Sequence, residues 1–391
     1  LFILQYSLKI ALFTYSTKPR GSVIHTLELA EALHQLGHHV CVYALSKDDR
    51  GFDYPLSCDT HLIPARSAPT EMDALIQQRI QEFIDGLNQT DLDYDCYHAQ
   101  DCLSANALAM LVHRQKIPHF VRTVHHIEDY PSPYLRDCQD RSIRVADRCF
   151  CVSDRWQIEL WQQYQIHAPR VINGVNLERF STNPNGLESE LKTRWNLTGG
   201  PIYLTIGGIE PRKNSIRILQ AFAEVLAQVP DAQLVIAGGA TLFDYQSYRD
   251  RFFATADDLG IEIGRSLILP GVIADVELPA LYRCADVFLF PSVKEGWGLV
   301  VLEAIASGLP VITANQPPFT EFLTDQQALL VNPEASTEIA AAMQAVLEPD
   351  RAMSLTQQSR SILSRYTWKT AAQLHLQHYQ SLLNSHAGNS L

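Results

Sequence analysis

Pro291-Ser-Val-Lys-Glu-Gly-Trp-Gly-Leu-Val-Val-Leu-Glu303 follows the apolar run Val287-Phe-Leu-Phe290. The stretch reads as a buried strand, a glycine-rich turn and a helix, with Glu295 and Glu303 bracketing the turn. A strand that feeds a helix through glycines offers unpaired backbone N–H groups and the positive end of a helix dipole to an anion. The two carboxylates cannot themselves bind phosphate, so they are expected to accept hydrogen bonds from hydroxyl groups. Diphosphate beside hydroxyls describes a nucleotide sugar.

Outward from this turn the same alternation repeats along the chain. Lys9–Thr14, His39–Tyr43, Tyr94–His98, His119–His125 and Arg148–Val152 read as strands, with helices over the stretch before Gly37, Ser104–Val112 and Ser153–Trp161. Gly37 suits a helix end, and Ser153 suits a helix start. Ser181–Ser189 is rich in Asn, Gly and Ser without periodicity, which places a domain boundary there. A second series follows, with strands at Pro201–Ile206, Gln233–Ala237, Ser266–Leu269, Asp286–Phe290 and Leu309–Thr313, and helices at Ile216–Val229, Leu278–Cys284 and Leu299–Ser307. From Thr367 the chain reads as one long helix with Trp368, Ala372, Leu374 and Leu382 as apolar contacts. Strands alternating with helices imply parallel sheets. The expected architecture is α/β, two tandem doubly wound domains (1–180 and 181–365) with a cleft between them and a terminal helix over 366–391.

The chain has 391 residues, above the ~250–300 at which single cores split. With 31 Lys and Arg against 43 Asp and Glu its net charge is −12, and no basic stripe stands out. Nucleic acid is therefore not an expected partner. The eight cysteines are scattered without a Cys-x-x-Cys pair, and those in apolar runs, such as Cys149 and Cys151, read as core residues. Leu1-Phe-Ile-Leu is short and lacks a basic start or cleavage site, so no signal peptide is expected. No apolar run reaches the ~18 residues of a membrane span. A soluble cytoplasmic protein is the expectation.

These segments resemble the retaining, nucleotide-sugar-dependent glycosyltransferases of family 4, which have the two-domain GT-B fold. Glu295 to Glu303, with Ala304 and Gly308-Leu-Pro-Val311, is similar to the family's E-x7-E signature and its continuation. Gly207-Gly-Ile-Glu-Pro-Arg-Lys-Asn214 resembles its phosphate loop, Ile172-Asn-Gly-Val its inter-domain crossing, and Gly37-His38 its first helix end. Two departures stand out: Gly208 where many relatives carry Arg, and Gly21-Ser22 where paired glycines are frequent. Lys18–Ser22, Val121–Tyr130 and Gly238–Arg249 look like a bacterial subgroup found near nitrilase genes. The resemblance covers nearly the whole chain.

It implies a transferase of the hexosyl class (EC 2.4) with a nucleotide-sugar donor and no cofactor. Negative charge grows on the departing diphosphate, so cations must already stand there. Arg212 and Lys213 fit that need. Glu303 is expected at the ribose hydroxyls, and Glu295 at the transferred sugar with the N–H groups of Gly296, Trp297 and Gly298. Trp297 reads either as a lid or as a packed aromatic. His125 falls where the family places a histidine near the anomeric region, and Gly21 where its first loop approaches the phosphates. His25, Gln100, Asp101 and His126 are acceptor-side candidates. Asp91-Leu-Asp93-Tyr-Asp95 has a D-x-D pattern, but it precedes a strand of the first half and reads as a solvated loop, so no metal is expected. The acceptor reads as a small molecule or glycan, with membrane docking left open. A nucleotide-sugar epimerase and a non-catalytic nucleotide-sugar-binding scaffold are the alternatives.

Overall fold

The computed structural model describes residues 7–47, 50–239 and 245–388. The Leu1-Phe-Ile-Leu opening and the Ala240–Asp244 part of the subgroup stretch lie outside the described residues. The chain forms two compact units, Leu1–Gly174 with Thr367–Leu391, and Val175–Tyr366.

The first unit is built on six parallel strands: β1 (Lys9–Thr14), β2 (His39–Ser46), β3 (Asp59–Pro64), β4 (Cys96–Ala99), β5 (Val121–Val124) and β6 (Arg148–Cys151). Their order in the sheet is β3-β2-β1-β4-β5-β6. Helices cover both faces of such a sheet, so its central strands are apolar on both sides. Ile10 to Phe13 of β1 are accordingly fully buried. Ile10, Leu12 and Phe13 each contribute ~1.5–3 kcal/mol relative to exposure. Chain order reverses between β1 and β4, and ligands of open parallel sheets bind outside the strand ends at such a reversal.

The helix Trp368–Gly388 belongs to this unit. Its most deeply buried residues are Ala371, Ala372, His375 and Tyr379, one helical face in which a histidine and a tyrosine replace aliphatic contacts. Leu374, expected among the contacts, is only partly buried.

The second unit repeats the plan with β7 (Ile202–Ile206), β8 (Gln233–Ala237), β9 (Leu267–Gly271), β10 (Val287–Phe290), β11 (Val311–Ala314) and β12 (Leu329–Val331). Its order is β12-β11-β10-β7-β8-β9, all parallel, with the reversal between β7 and β10. The phosphate-loop sequence leaves β7 and the signature turn leaves β10. Adjacent strands thus deliver both motifs to one place.

β3, β12 and several helices, Met72–Asn88 among them, add to the elements expected from sequence. Among the described residues no helix is long and apolar enough to cross a membrane.

A close backbone approach fixes one glycine. A Cβ at Gly174 would lie 2.2 Å from the Trp368 backbone nitrogen, and neither backbone can yield cheaply. Gly174→Ala is expected to cost about 2–3 kcal/mol in urea unfolding. A loss under ~0.5 kcal/mol would show that the approach is not rigid.

Candidate active site

In the second unit β7 is followed by Gly207 (φ +136°) and Gly208 (φ +77°), both in the left-handed region. A Cβ at Gly207 would lie 2.5 Å from Lys213 Cε, and one at Gly208 would lie 2.8 Å from the Gly239 carbonyl oxygen. This explains the departure at position 208: an Arg there would need a strained backbone and room that Gly238 and Gly239, just after β8, occupy. A single 3-10 turn, Pro211–Lys213, follows, and Asn214 closes it at φ +65°. Asn tolerates that conformation better than most residues. Its Nδ2 donates to the carbonyls of Pro291 (3.1 Å) and Pro333 (2.6 Å). The Val293 N–H donates to the Arg212 carbonyl at 2.9 Å, tying the two loops together.

These braces bring three charged groups to one point. Lys213 Nζ lies 2.6 Å and Arg212 Nη1 lies 3.1 Å from Glu295 Oε1. Arg212 Nε also lies 3.1 Å from Glu210 Oε2. Lys213 and Glu295 are each only 9% exposed, and the ammonium sits 4.4 Å from the centre of the Phe290 ring. Burial alone would raise the Glu295 carboxyl, but Lys213 and Arg212 outweigh it and hold the group below its ordinary range. Burial also depresses the Lys213 ammonium, with Glu295 opposing that shift and Arg212 adding to it. One oxygen of Glu295, a residue expected at sugar hydroxyls, holds the two cations expected at the diphosphate.

Gly298 (φ +97°) opens the helix Leu299–Ala306, and no side chain caps its first turn. A Cβ there would meet Phe319 Cε1 at 2.8 Å, so the turn is closed to larger residues. Gly296 and Gly298 flank Trp297, whose ring stacks on Phe322 at 4.7 Å with 3% exposure. Of the two readings of Trp297, the packed aromatic is the observed one.

Glu303, one helical turn further, is held by a residue that sequence reading missed. Tyr282 donates its hydroxyl to Glu303 Oε2 at 2.7 Å, while Oε1 makes no hydrogen bond among the described residues. Burial raises the Glu303 carboxyl, and the Tyr282 hydrogen bond and the Arg179 charge offset part of that shift. Arg179 is itself ion-paired with Asp275. Tyr282 lies in Leu278-Pro-Ala-Leu-Tyr-Arg-Cys284, which reads as ordinary helix core, so sequence carried no signal of its role.

In the first unit, His125 and Gln100 meet beyond β4 and β5, where Gln100 Oε1 lies 3.1 Å from His125 Nε2. Against His125 stands His25, ring centres 4.7 Å apart and edge to face. His25 is fully buried, with its Nδ1 at 2.8 Å from Asn173 Oδ1. His98 and His375, both fully buried, complete a cluster of four imidazoles. Asp101 caps the helix Cys102–His113 by accepting from the Ser104 N–H at 2.8 Å, and burial pushes its carboxyl up to about 6. His126 stands apart, exposed and 3.0 Å from Glu128. Gly21 starts the helix Gly21–Gln35, where no side chain caps the N-terminus. A Cβ at Gly21 would meet nothing within 4 Å, so the fold itself does not demand a glycine there.

The D-x-D aspartates stand at the opposite, N-terminal end of the first sheet. Asp93 is exposed and pairs with Lys9 Nζ at 2.5 Å, and Asp95 accepts from the Lys9 N–H at 2.8 Å. Among the described residues no cluster of His, Cys, Asp and Glu has a metal-holding arrangement.

The histidine cluster dictates a pH dependence of stability. Burial lowers His25 to about 4 and His375 to about 3, and holds His98 and His125 well below the ordinary value. Below pH ~6.5 the unfolded chain therefore binds protons that the fold refuses, and stability falls with pH. Asp101, raised to about 6 in the fold, acts oppositely below that pH, and the raised Glu303 carboxyl acts in the same direction, offsetting part of the loss. Urea unfolding is expected to show a loss on the order of 1 kcal/mol per imidazole per pH unit below 6.5, before that offset. His375→Phe should flatten the profile by one imidazole's share; identical profiles would contradict the cluster's neutrality.

Comparison with known proteins completes the picture. Residues 19–179 match the family model described as Glycosyltransferase Family 4, and residues 189–362 match that of glycosyl transferases group 1. An uncharacterized glycosyltransferase of Methanocaldococcus jannaschii is 25% identical over 390 residues, spanning 93% of this chain and 96% of its own. The phosphatidyl-myo-inositol mannosyltransferase of Mycolicibacterium smegmatis is 26% identical over 385 residues, 93% of this chain and 91% of its own. Among solved structures, sucrose-phosphate synthase of Thermosynechococcus elongatus superposes with a TM-score of 0.78 at 22% identity, covering 97% of this chain and all (100%) of its own. Anabaena HepE with UDP and glucose superposes at 0.77 with 19% identity, covering 96% and 100%. At those identities the structural likeness speaks for the fold, while the two family models span most of both units. The chain belongs to the glycosyltransferases of the GT-B type.

Proposed function

We propose that this glycosyltransferase takes its sugar from a nucleotide-diphosphate donor held by the second unit and transfers it, with retention and without a metal, to a hydroxyl acceptor. The observation that carries the reading is the convergence of Lys213 and Arg212 on Glu295 at an uncapped helix start, beside the sheet reversal between β7 and β10. Two cations and open N–H groups are what a departing diphosphate needs, and they stand in place before any bond breaks. Lys213 supplies a point charge, and Arg212 can grip two oxygens.

In this reading Glu303 Oε1 accepts from a ribose hydroxyl, held by the Tyr282 bond on its other oxygen. Glu295 gives up the cations to the phosphates and takes the sugar together with the N–H groups of Gly296, Trp297 and Gly298. His125 hydrogen-bonds a sugar hydroxyl, and Gly21 lets the first loop approach the phosphates. Asp101, His126 and His25 belong to the acceptor side of the first unit, His25 acting from within the core. Retention follows the family's same-face attack assisted by the leaving phosphate. HepE, solved with UDP-glucose, and the D-inositol 3-phosphate glycosyltransferase of Corynebacterium aurimucosum, 25% identical over 303 residues, support a nucleotide-sugar donor and a hydroxyl acceptor. The second of these is a transferase, as is the mannosyltransferase relative, which does not favour the epimerase or scaffold alternatives. Eight free cysteines, most of them buried, suit a reducing cytoplasm.

Lys213→Ala is expected to lower donor turnover, whether to an acceptor or to water, by ~10²-fold or more. Unchanged turnover in folded protein would remove Lys213 from the mechanism. Glu303→Ala should weaken free-nucleotide affinity by about 10–100-fold in titration calorimetry, the worth of a charged hydrogen bond; undiminished affinity would refute the ribose contact. Turnover should survive excess EDTA, whereas full loss restored by Mg²⁺ or Mn²⁺ would overturn metal independence. Carbon-13 NMR of the product's anomeric centre decides between retention and inversion.

A further inference from the structure

We infer that Gln100 is a positioning residue that fixes which nitrogen of His125 carries the proton, and that the C-terminal helix holds Gln100's support in place through Tyr379 and His98. A carboxamide oxygen only accepts hydrogen bonds. With Gln100 Oε1 at 3.1 Å, the proton of neutral His125 sits on Nε2, and Nδ1 keeps its lone pair. Nδ1 makes no hydrogen bond among the described residues, and His125 is partly buried. His125 therefore offers its ligand an acceptor and asks for a hydroxyl donor. A histidine bound to a donating group would have presented the opposite polarity.

The way round of the Gln100 amide is set by His98. Gln100 Nε2 lies 3.4 Å from His98 Nδ1 and 3.3 Å from His98 Nε2, nearly equidistant and so over the ring face. An N–H group is attracted to the electron-rich face of a ring, and a carbonyl oxygen is repelled by it. His98 cannot turn, because its own edge is held at both nitrogens: Nδ1 at 2.6 Å from the Tyr379 hydroxyl and Nε2 at 2.8 Å from Thr123 Oγ1. Tyr379 and His98 are fully buried and Gln100 is 1% exposed, so water does not compete for these bonds. Burial first, and then the neighbouring His25, His126, His98 and Arg122, all disfavour a second ring proton on His125.

The catalytic meaning of this arrangement rests on the proposed place of His125 at the sugar; the tautomer itself does not. The test uses the full chain labelled with ¹⁵N-histidine and long-range ¹H–¹⁵N correlation spectra at pH 7.5, with His125→Asn assigning the signal. Wild type should show the Nε2–H form. Gln100→Leu should raise the Nδ1–H share about tenfold, the worth of one hydrogen bond, and Tyr379→Phe should move it the same way by less. Gln100→Glu should keep the Nε2–H form and raise the pH at which His125 protonates, because a carboxylate favours the imidazolium. An Nδ1–H wild type, or an unchanged ratio in folded Gln100→Leu protein, would overturn the inference. Should the leucine variant not fold, the glutamate variant decides, and an unmoved protonation pH overturns it equally. Adding UDP-glucose to the wild-type sample separates the two readings: an Nε2–H signal indifferent to every nucleotide sugar would support the tautomer assignment and withdraw His125 from the donor site.

Discussion

Lys213 and Glu295 form an ion pair from which water is nearly excluded, and much of the second unit's site is arranged around that fact. Removing one member of such a pair leaves an uncompensated buried charge, at about 3–5 kcal/mol. The neighbouring geometry reads as the means of keeping both ends fixed. Left-handed glycines let the lysine stem lie across the end of β7, Asn214 bolts the loop to the β10 side, and the Phe290 face receives the ammonium. A pair so confined is also a store of charge. In the proposed chemistry an incoming diphosphate takes over the cations without ordering them, since their side chains are already placed.

The two units solve the same construction problem with different chemistry at the point of sheet reversal. In the second, charge dominates, and a tyrosine–glutamate bond holds a single carboxylate oxygen available for hydroxyls. In the first, the corresponding strand ends carry neutral imidazoles packed edge to face, and polarity is set by hydrogen-bond direction rather than by charge. Both are preorganised by residues that touch no ligand in the proposed chemistry: Asn214 and Tyr282 on one side, His98 and Tyr379 on the other.

Much of the frame was readable before any coordinates. The apolar runs of β1 and β10 are unambiguous because strands covered on both faces need unbroken hydrophobicity. β3 escaped notice because Asp59-Thr-His-Leu-Ile-Pro64 is a largely exposed edge strand, and β12 because three residues carry no period. The helix Met72–Asn88 was there to be read in Ile76, Ile80, Phe83, Ile84 and Leu87. At the site, residue types and the glutamate spacing were legible, and partnerships were not. Lys213 and Glu295 lie 82 positions apart, and only the adjacency of β7 and β10 joins them. His98 and Tyr379 are separated by 281 positions. Gln100 is legible as an acceptor-side candidate, but its contact with His125 is not, because local sequence does not encode where an amide points.

The central claim is that the second unit holds the nucleotide diphosphate of a sugar donor. Thermal unfolding of the full chain against UDP-, GDP-, ADP- and dTDP-sugars, with the bare nucleotides as controls, tests it most directly. A ligand at about 100 times its dissociation constant stabilises the fold by ~2.7 kcal/mol, a readily visible shift. One nucleotide series should stabilise the protein, with the bare diphosphate retaining most of the effect. No shift with any of them, in protein shown to be folded, would contradict it.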